Sequence, residues 1–179
     1  MTAIHVPTRE EVSAENQALF DNLKKGLGMV PNLYATMALS EHALASYLAL
    51  QNAKSSIKGK AREVVNLVVS QVNECEYCLA AHTAIGKMVG FTDEQILEIC
   101  GGKASFDGKL DALAKFTKSM VEGRGKPNSL ALESFFAAGW TQENLVDTIV
   151  TIGDKIITNY LHGATKVPVD FPAAQKLAA

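Results

Sequence analysis

Cys75 and Cys78, with His82 four residues beyond the second, are the residues of this chain best suited to chemistry. On a helix advancing about 100° per residue, Cys78 and His82 fall roughly −60° and −20° from Cys75, so one narrow face presents all three. Thiols this close can cycle between dithiol and disulfide if the first turn allows the sulfur geometry. The thiolate is the reactive form, and two features compete to produce it. Cys75 lies nearer the expected helix start, where unpaired amides and the helix dipole favour an anion. Cys78 lies one turn from His82, which can relay its proton or stabilise its thiolate. Spacing alone leaves the order of the two thiols open. A neutral histidine needs its tautomer fixed, commonly by a carboxylate. Glu63, twelve residues before Cys75 on the preceding helix, can serve if the break at Asn73 folds the two helices together. The expectation is that both sulfurs share one exposed helical turn, close enough to exchange electrons.

Blander roles compete for each residue. Cys75, Cys78 and His82 supply three metal ligands, but no fourth is near, whereas structural zinc takes four. Glu63 taken alone fits a solvated helix position. Cys100, in the apolar run ILEICGG, fits a buried structural thiol. Gly101-Gly102 lacks the spacing of a dinucleotide or phosphate loop, so no tightly bound cofactor is expected.

The elements that position these residues read as helices. Thr8 and Glu11 fit a capping box opening a helix over 10–24, and Pro31 fits the first turn of a second, with a break near Ser40. Residues 60–71 carry apolar side chains almost all round, which predicts a central helix. The run is long for a strand, and Glu63, Asn66 and Ser70 recur at helical spacing. After Asn73 and Glu74 a helix is expected over 75–88, closed at Gly90. Further helices are expected over 93–99, 109–121, 129–137 and 142–162. Gly90-Phe91-Thr92 and Gly139-Trp140-Thr141 open two of them alike, with threonine as N-cap and the aromatic as staple. The last helix is apolar on more than one face, which suits deep burial or assembly, and His162 fits its end. Pro168 and Pro172 oppose helix in the tail. The expectation is one all-helical domain over 1–165 with an irregular tail over 166–179.

Of the 179 residues, 47% are hydrophobic and 20% charged, enough for a folded core. Net charge is −2, from 17 basic and 19 acidic residues, and the lysine-rich stretch 54–62 is mixed with Ser, Gly and Ala. That argues against a nucleic-acid footprint. The longest apolar runs are crossed by polar residues such as Asp147, Asp154 and Lys155, so no membrane span is expected. With no visible signal peptide and few cysteines, a cytoplasmic location is expected.

The run Glu63-Val64-Val65-Asn66-Leu67-Val68-Val69-Ser70, followed by Cys75-Glu76-Tyr77-Cys78-Leu79-Ala80-Ala81-His82, resembles the AhpD-like, or carboxymuconolactone decarboxylase-like, family. The paired cysteines match its alkylhydroperoxidase branch, since the decarboxylase branch does not use them. The resemblance implies an all-α, AhpD-like helical bundle assembled into a homo-oligomer. It also implies reduction of hydrogen peroxide or organic hydroperoxides through a dithiol/disulfide cycle. Residue by residue, Cys78 takes the part of the peroxide-attacking thiol, Cys75 of the resolving thiol, His82 of the proton relay and Glu63 of the acid behind it. The implied electron source is an external dithiol such as dihydrolipoamide or a lipoylated protein, with a peroxiredoxin as a further partner. One departure stands out. The best-known member carries histidine immediately before its second motif cysteine, where this chain has Tyr77. With an unperturbed pKa of about 10, tyrosine is a poor base at neutral pH. Rival readings are a redox sensor or general disulfide reductase, and a carboxymuconolactone decarboxylase-like lyase.

Overall fold

The computed structural model describes residues 4–175 and Leu177. Among the described residues all regular structure is helical: a 3-10 turn at Arg9–Glu11, then α1 Ala14–Leu27, α2 Asn32–Met37, α3 Ala43–Gln51, α4 Lys60–Val72, α5 Glu76–Met88, α6 Asp93–Cys100, α7 Gly108–Glu122, α8 Ser129–Ala137 and α9 Gln142–Thr165. These form two compact units. One comprises Met1–Lys54 with Tyr160–Asp170, the other Ser55–Asn159 with Phe171–Ala179.

In the first unit, Phe20, Met37, Leu44 and Tyr47 build the core, with Leu161 packed against it. The Thr8–Glu11 pair caps a 3-10 turn instead of a long helix, Glu11 Oε2 accepting the Thr8 amide at 2.7 Å. The chain cannot run on as helix because Val12 is extended (φ −111°, ψ 165°) and buried. Ser13 then caps α1 through the Asn16 amide. The break expected near Ser40 falls between α2 and α3. There the buried Asn16 amide donates to the carbonyls of Ala38 (3.2 Å) and Ser40 (3.1 Å), supplying partners to backbone groups the broken helix leaves open. Residues 166–175 are irregular, and Asn32 is tied to them by Asp170 Oδ2 (2.7 Å) and the Pro168 carbonyl (3.1 Å). Lys176 and 178–179 of the expected tail lie outside the described residues.

In the second unit α4 is central, as its composition predicts: every residue from Glu63 to Ser70 is buried. It packs against α5, α6 and α7. Phe116 and Phe135 lie beneath, their ring centroids 4.7 Å apart. Thr92 and Thr141 cap α6 and α9 through the amides of Gln95 and Asn144. Phe91 and Trp140, which precede them, lie in or against the same core as Ile96 and Leu145.

The reversal from α4 to α5 sets the position of the cysteines. The Cys75 amide donates to the Ser70 carbonyl (2.9 Å) and the Glu74 amide to that of Gln71 (3.0 Å), a Schellman closure. Its left-handed position is held by Glu74, at φ 52°. A side chain with a Cβ costs about 1 kcal/mol or more there, while glycine loses extra chain entropy on folding. Glu74→Gly is therefore expected to leave stability unchanged or raise it by up to about 1 kcal/mol. Urea unfolding would check this, and a clear loss of stability would show that Glu74 makes a contribution beyond the turn.

Of the two roles expected for α9, deep burial is not the one its apolar residues take. Val146, Ile149, Val150 and Ile157 are exposed, while Thr148, Thr151, Asp154, Lys155, Thr158 and Asn159 are buried. The polar face turns inward because it finds partners there. Asn159 bonds Asn73 (2.9 Å) and Ser70 (3.4 Å), Asn144 bonds Ser56 (2.9 Å), and Asp154 meets Arg62 at 3.4 Å. Arg62, the last basic residue of the lysine-rich stretch, is thus drawn to a buried carboxylate. Among the described residues no helix is long and apolar enough to cross a membrane.

Candidate active site

Cys75 is the N-cap of α5, and its Sγ accepts the Cys78 amide at 3.4 Å. The face carrying Cys75, Cys78 and His82 is buried. Each cysteine is only 3% exposed, which corrects the expectation of an exposed turn. The inward polar face of α9 lies against the α4–α5 reversal that carries them, where Asn159 meets Ser70 at 3.4 Å and Asn73 at 2.9 Å. Tyr77 is also buried and meets Phe171 edge-on, with centroids 5.6 Å apart.

The two thiols differ sharply. Hydrogen bonding to Cys75 lowers Cys78 to about 7, aided by the charge of Lys155 and bonds from Thr158 and Asn159, against the opposing effect of burial. The same thiol–thiol hydrogen bond, together with burial, pushes Cys75 up. The amide donated to Cys75 pulls the other way but is outweighed. Negative charge therefore settles on Cys78, with Cys75 keeping its proton and donating it. The helix-terminus effect that made Cys75 attractive does not decide the order.

The contact between Glu63 and His82 that spacing left open is made. Glu63 Oε2 lies 2.7 Å from His82 Nδ1, and Glu63 Oε1 accepts from Asn66 Nδ2 at 2.9 Å. Both residues are buried, so Glu63 is not a solvated helix position. Burial, then the charge of Lys155, holds His82 below the usual histidine range, although Glu63 acts in the opposite sense. Burial alone would raise Glu63, but His82, Asn66 and Lys155 together hold it below the ordinary carboxylate range. The consistent state is a carboxylate accepting the Nδ1 proton of a neutral imidazole, whose Nε2 lone pair is then available to take a proton.

Cys100 stands apart, buried in the α4–α7 core, where desolvation pushes its thiol up to about 12. Among the described residues no cluster of three or more His, Cys, Asp or Glu side chains is arranged to hold a metal ion. The residues missed from sequence are Asn66, Lys155, Thr158 and Asn159. Their signal was available: polar residues at positions 155, 158 and 159 share one face of an otherwise apolar helix. Two of the charges on that helix, Asp154 and Lys155, served only to argue against a membrane span.

The all-helical arrangement of these elements is an AhpD-like fold. Solved structures bear this out for the fold. A peroxidase-related protein from Silicibacter sp. TM1040 matches at 24% identity over 92% of this chain and 90% of its own, with TM-score 0.79. An alkylhydroperoxidase AhpD core, a peroxidase-related protein from Ralstonia eutropha JMP134, matches at 18% identity over 94% and 92%, with TM-score 0.84. The debrominase Bmp8 matches at 13% identity over 95% and 93%, with TM-score 0.77. Residues 38–118, which include the whole Glu63–His82 motif, match the carboxymuconolactone decarboxylase family. That match agrees with the resemblance read from the motif over this part of the chain, and the solved structures show the helical fold. No curated protein matches the sequence.

Proposed function

We propose that this chain is a thiol-dependent peroxidase reducing hydrogen peroxide or organic hydroperoxides through Cys78 and Cys75. The observation that carries the reading is the pairing of the two thiols at the start of α5, Cys75 Sγ accepting the Cys78 amide at 3.4 Å, with Cys78 lowered to about 7. The Glu63–His82 contact one turn along supports it.

In the cycle, the Cys78 thiolate attacks one peroxide oxygen and the O–O bond breaks. Cys78 becomes a sulfenic acid, and the departing alkoxide or hydroxide takes a proton and leaves as alcohol or water. Cys75 then gives up its proton, with His82 Nε2 as the nearby base, and its sulfur displaces the sulfenic oxygen as water. The product is the Cys75–Cys78 disulfide. An external dithiol, such as dihydrolipoamide or a lipoylated protein, attacks that disulfide and leaves as its own oxidised form, restoring both thiols through a mixed disulfide. Tyr77 need not act as a base, because the Glu63–His82 pair does not pass through it. Burial of both sulfurs favours small peroxides and an opening motion before the larger reductant reacts.

The same burial is the observation favouring a redox sensor, in which oxidation alters packing beneath α9 without turnover. The assay that separates the readings follows hydrogen peroxide and an organic hydroperoxide with dihydrolipoamide in excess. The peroxidase reading expects many equivalents consumed per chain. Consumption that stops at one equivalent with every dithiol tried supports the sensor. Lactone turnover by a Cys75→Ser, Cys78→Ser chain supports a lyase. A brominated pyrrole belongs in the same panel, since the likeness to the debrominase is one of fold.

A further inference from the structure

Over residues 146–159, α9 presents only apolar residues to solvent. The exposed positions of that span are Val146, Ile149, Val150, Gly153 and Ile157. Val146 is 60% exposed, and Ile149, Val150 and Ile157 are 44%, 46% and 45% exposed. The polar residues of the same span turn into the body, and the one partly exposed carboxylate, Asp147, is held by the Ser56 amide at 2.5 Å. A lone exposed apolar side chain is ordinary, but a contiguous stripe without a charge marks a face that something covers.

The stripe reads alike in both directions from Gly153. Isoleucine stands four residues to either side, at Ile149 and Ile157, and a β-branched apolar residue three to either side, at Val150 and Ile156. A twofold-related copy packed antiparallel sets each position against its mirror, so an isologous contact here pairs apolar with apolar at every turn. Gly153 suits the crossing point. It is exposed in mid-helix, and a Cβ there would meet nothing within 4 Å. The chain's own packing gives no reason for a residue that weakens the helix, whereas close approach of a second helix does. The area agrees. Two such stripes face to face cover on the order of 700 Å² of apolar surface, about what the smallest specific homodimers contain at ~1,200 Å² in total and ~65% apolar. A lipid surface fits less well. Helices that lie on membranes carry lysine and arginine beside the apolar face, and α9 exposes neither over this span.

We propose that α9 is a subunit contact. A second copy of this chain packs its own α9 antiparallel about a twofold axis at Gly153, with Ile149 of one copy against Ile157 of the partner subunit. The contact stands whether or not the chain turns over peroxide, because it uses none of the thiol site.

Sedimentation velocity of the full chain at micromolar concentration tests it in wild type, Ile149→Glu, Ile157→Lys and the chain carrying both substitutions. Wild type should sediment as a dimer or as an assembly of an even number of copies, and each single substitution should halve that mass. The double substitution should restore it, since the antiparallel twofold sets the new carboxylate of one copy against the new ammonium of the other. A monomeric wild type, single variants of unchanged mass, or a double variant that stays dissociated overturns the proposal. A wild-type monomer that co-sediments with phosphatidylserine vesicles gives the face to a membrane and overturns it too. Both isoleucines are exposed in the single chain, so far-ultraviolet circular dichroism should not change. Should the charged variants misfold, Gly153→Ala gives the second reading, because it favours the isolated helix while holding two helices apart. Its dissociation constant should rise roughly tenfold, and unchanged association overturns the proposal.

Discussion

Cys78→Ser is expected to reduce dithiol-dependent hydroperoxide turnover by roughly three orders of magnitude or more, the scale on which removing a covalent nucleophile acts. The site favours negative charge on one sulfur: hydrogen bonding to Cys75 lowers Cys78, and the charge of Lys155 acts in the same sense against burial. A serine hydroxyl accepts the same hydrogen bonds but stays protonated at neutral pH and is a weak nucleophile toward an O–O bond. The side chains are close in size, and partners for a buried hydroxyl are present, so the fold should survive. Far-ultraviolet circular dichroism with the peroxide assay checks both parts. Retained turnover in a folded Cys78→Ser chain would remove Cys78 from the chemistry.

His82→Asn carries the second largest expected effect. Loss of a positioned general base typically costs about 10²- to 10⁴-fold, and the loss should fall on kcat/KM for peroxide or on disulfide closure. The substitution also leaves Glu63 buried without the ring that accounts for much of its ionised state. The pH profile separates the two thiols from the base. In wild type the thiolate is the active form, so the rate should be full above about 7 and fall as Cys78 is protonated below it. His82 is held below the usual histidine range, so it remains an unprotonated base through that window. His82→Asn should therefore lower the plateau by the stated factor while keeping an acid limb. An unchanged plateau in pre-steady-state and steady-state measurements would assign His82 a purely structural role.

Much of this site was legible because it is local. Cys75, Cys78 and His82 share a face by helix arithmetic alone, and the Asn73–Glu74 break signalled the reversal that returns α5 along α4. Glu63 needed that reversal to be tight, which depends on a left-handed glutamate no pattern would nominate. The central place of α4 followed from its all-round apolar composition. The start of α1 was misplaced because a capping box satisfies a 3-10 turn as well as an α-helix, and burial of Val12 chose between them.

Which face of helix α9 turns inward was not legible, and the cause is physical. Polar and apolar residues on it both recur at helical spacing, so periodicity identifies the helix but not which face is inward. Transfer energies favour burying Val146, Ile149, Val150 and Ile157. Tertiary partners at Ser56, Arg62, Ser70 and Asn73 reverse that choice. Those partners come from positions about 90 residues away in sequence, so no window along the helix contains them.

The most direct measurement adds one equivalent of hydroperoxide to the reduced chain, quenches free thiols with an alkylating reagent and maps the peptide spanning Cys75 and Cys78 by mass. An internal Cys75–Cys78 disulfide should appear, the peptide lighter by two hydrogens and unlabelled, and Cys75→Ser should stop at a trappable sulfenic acid on Cys78. A peptide that emerges with both thiols still alkylated, while peroxide is consumed, would contradict the account.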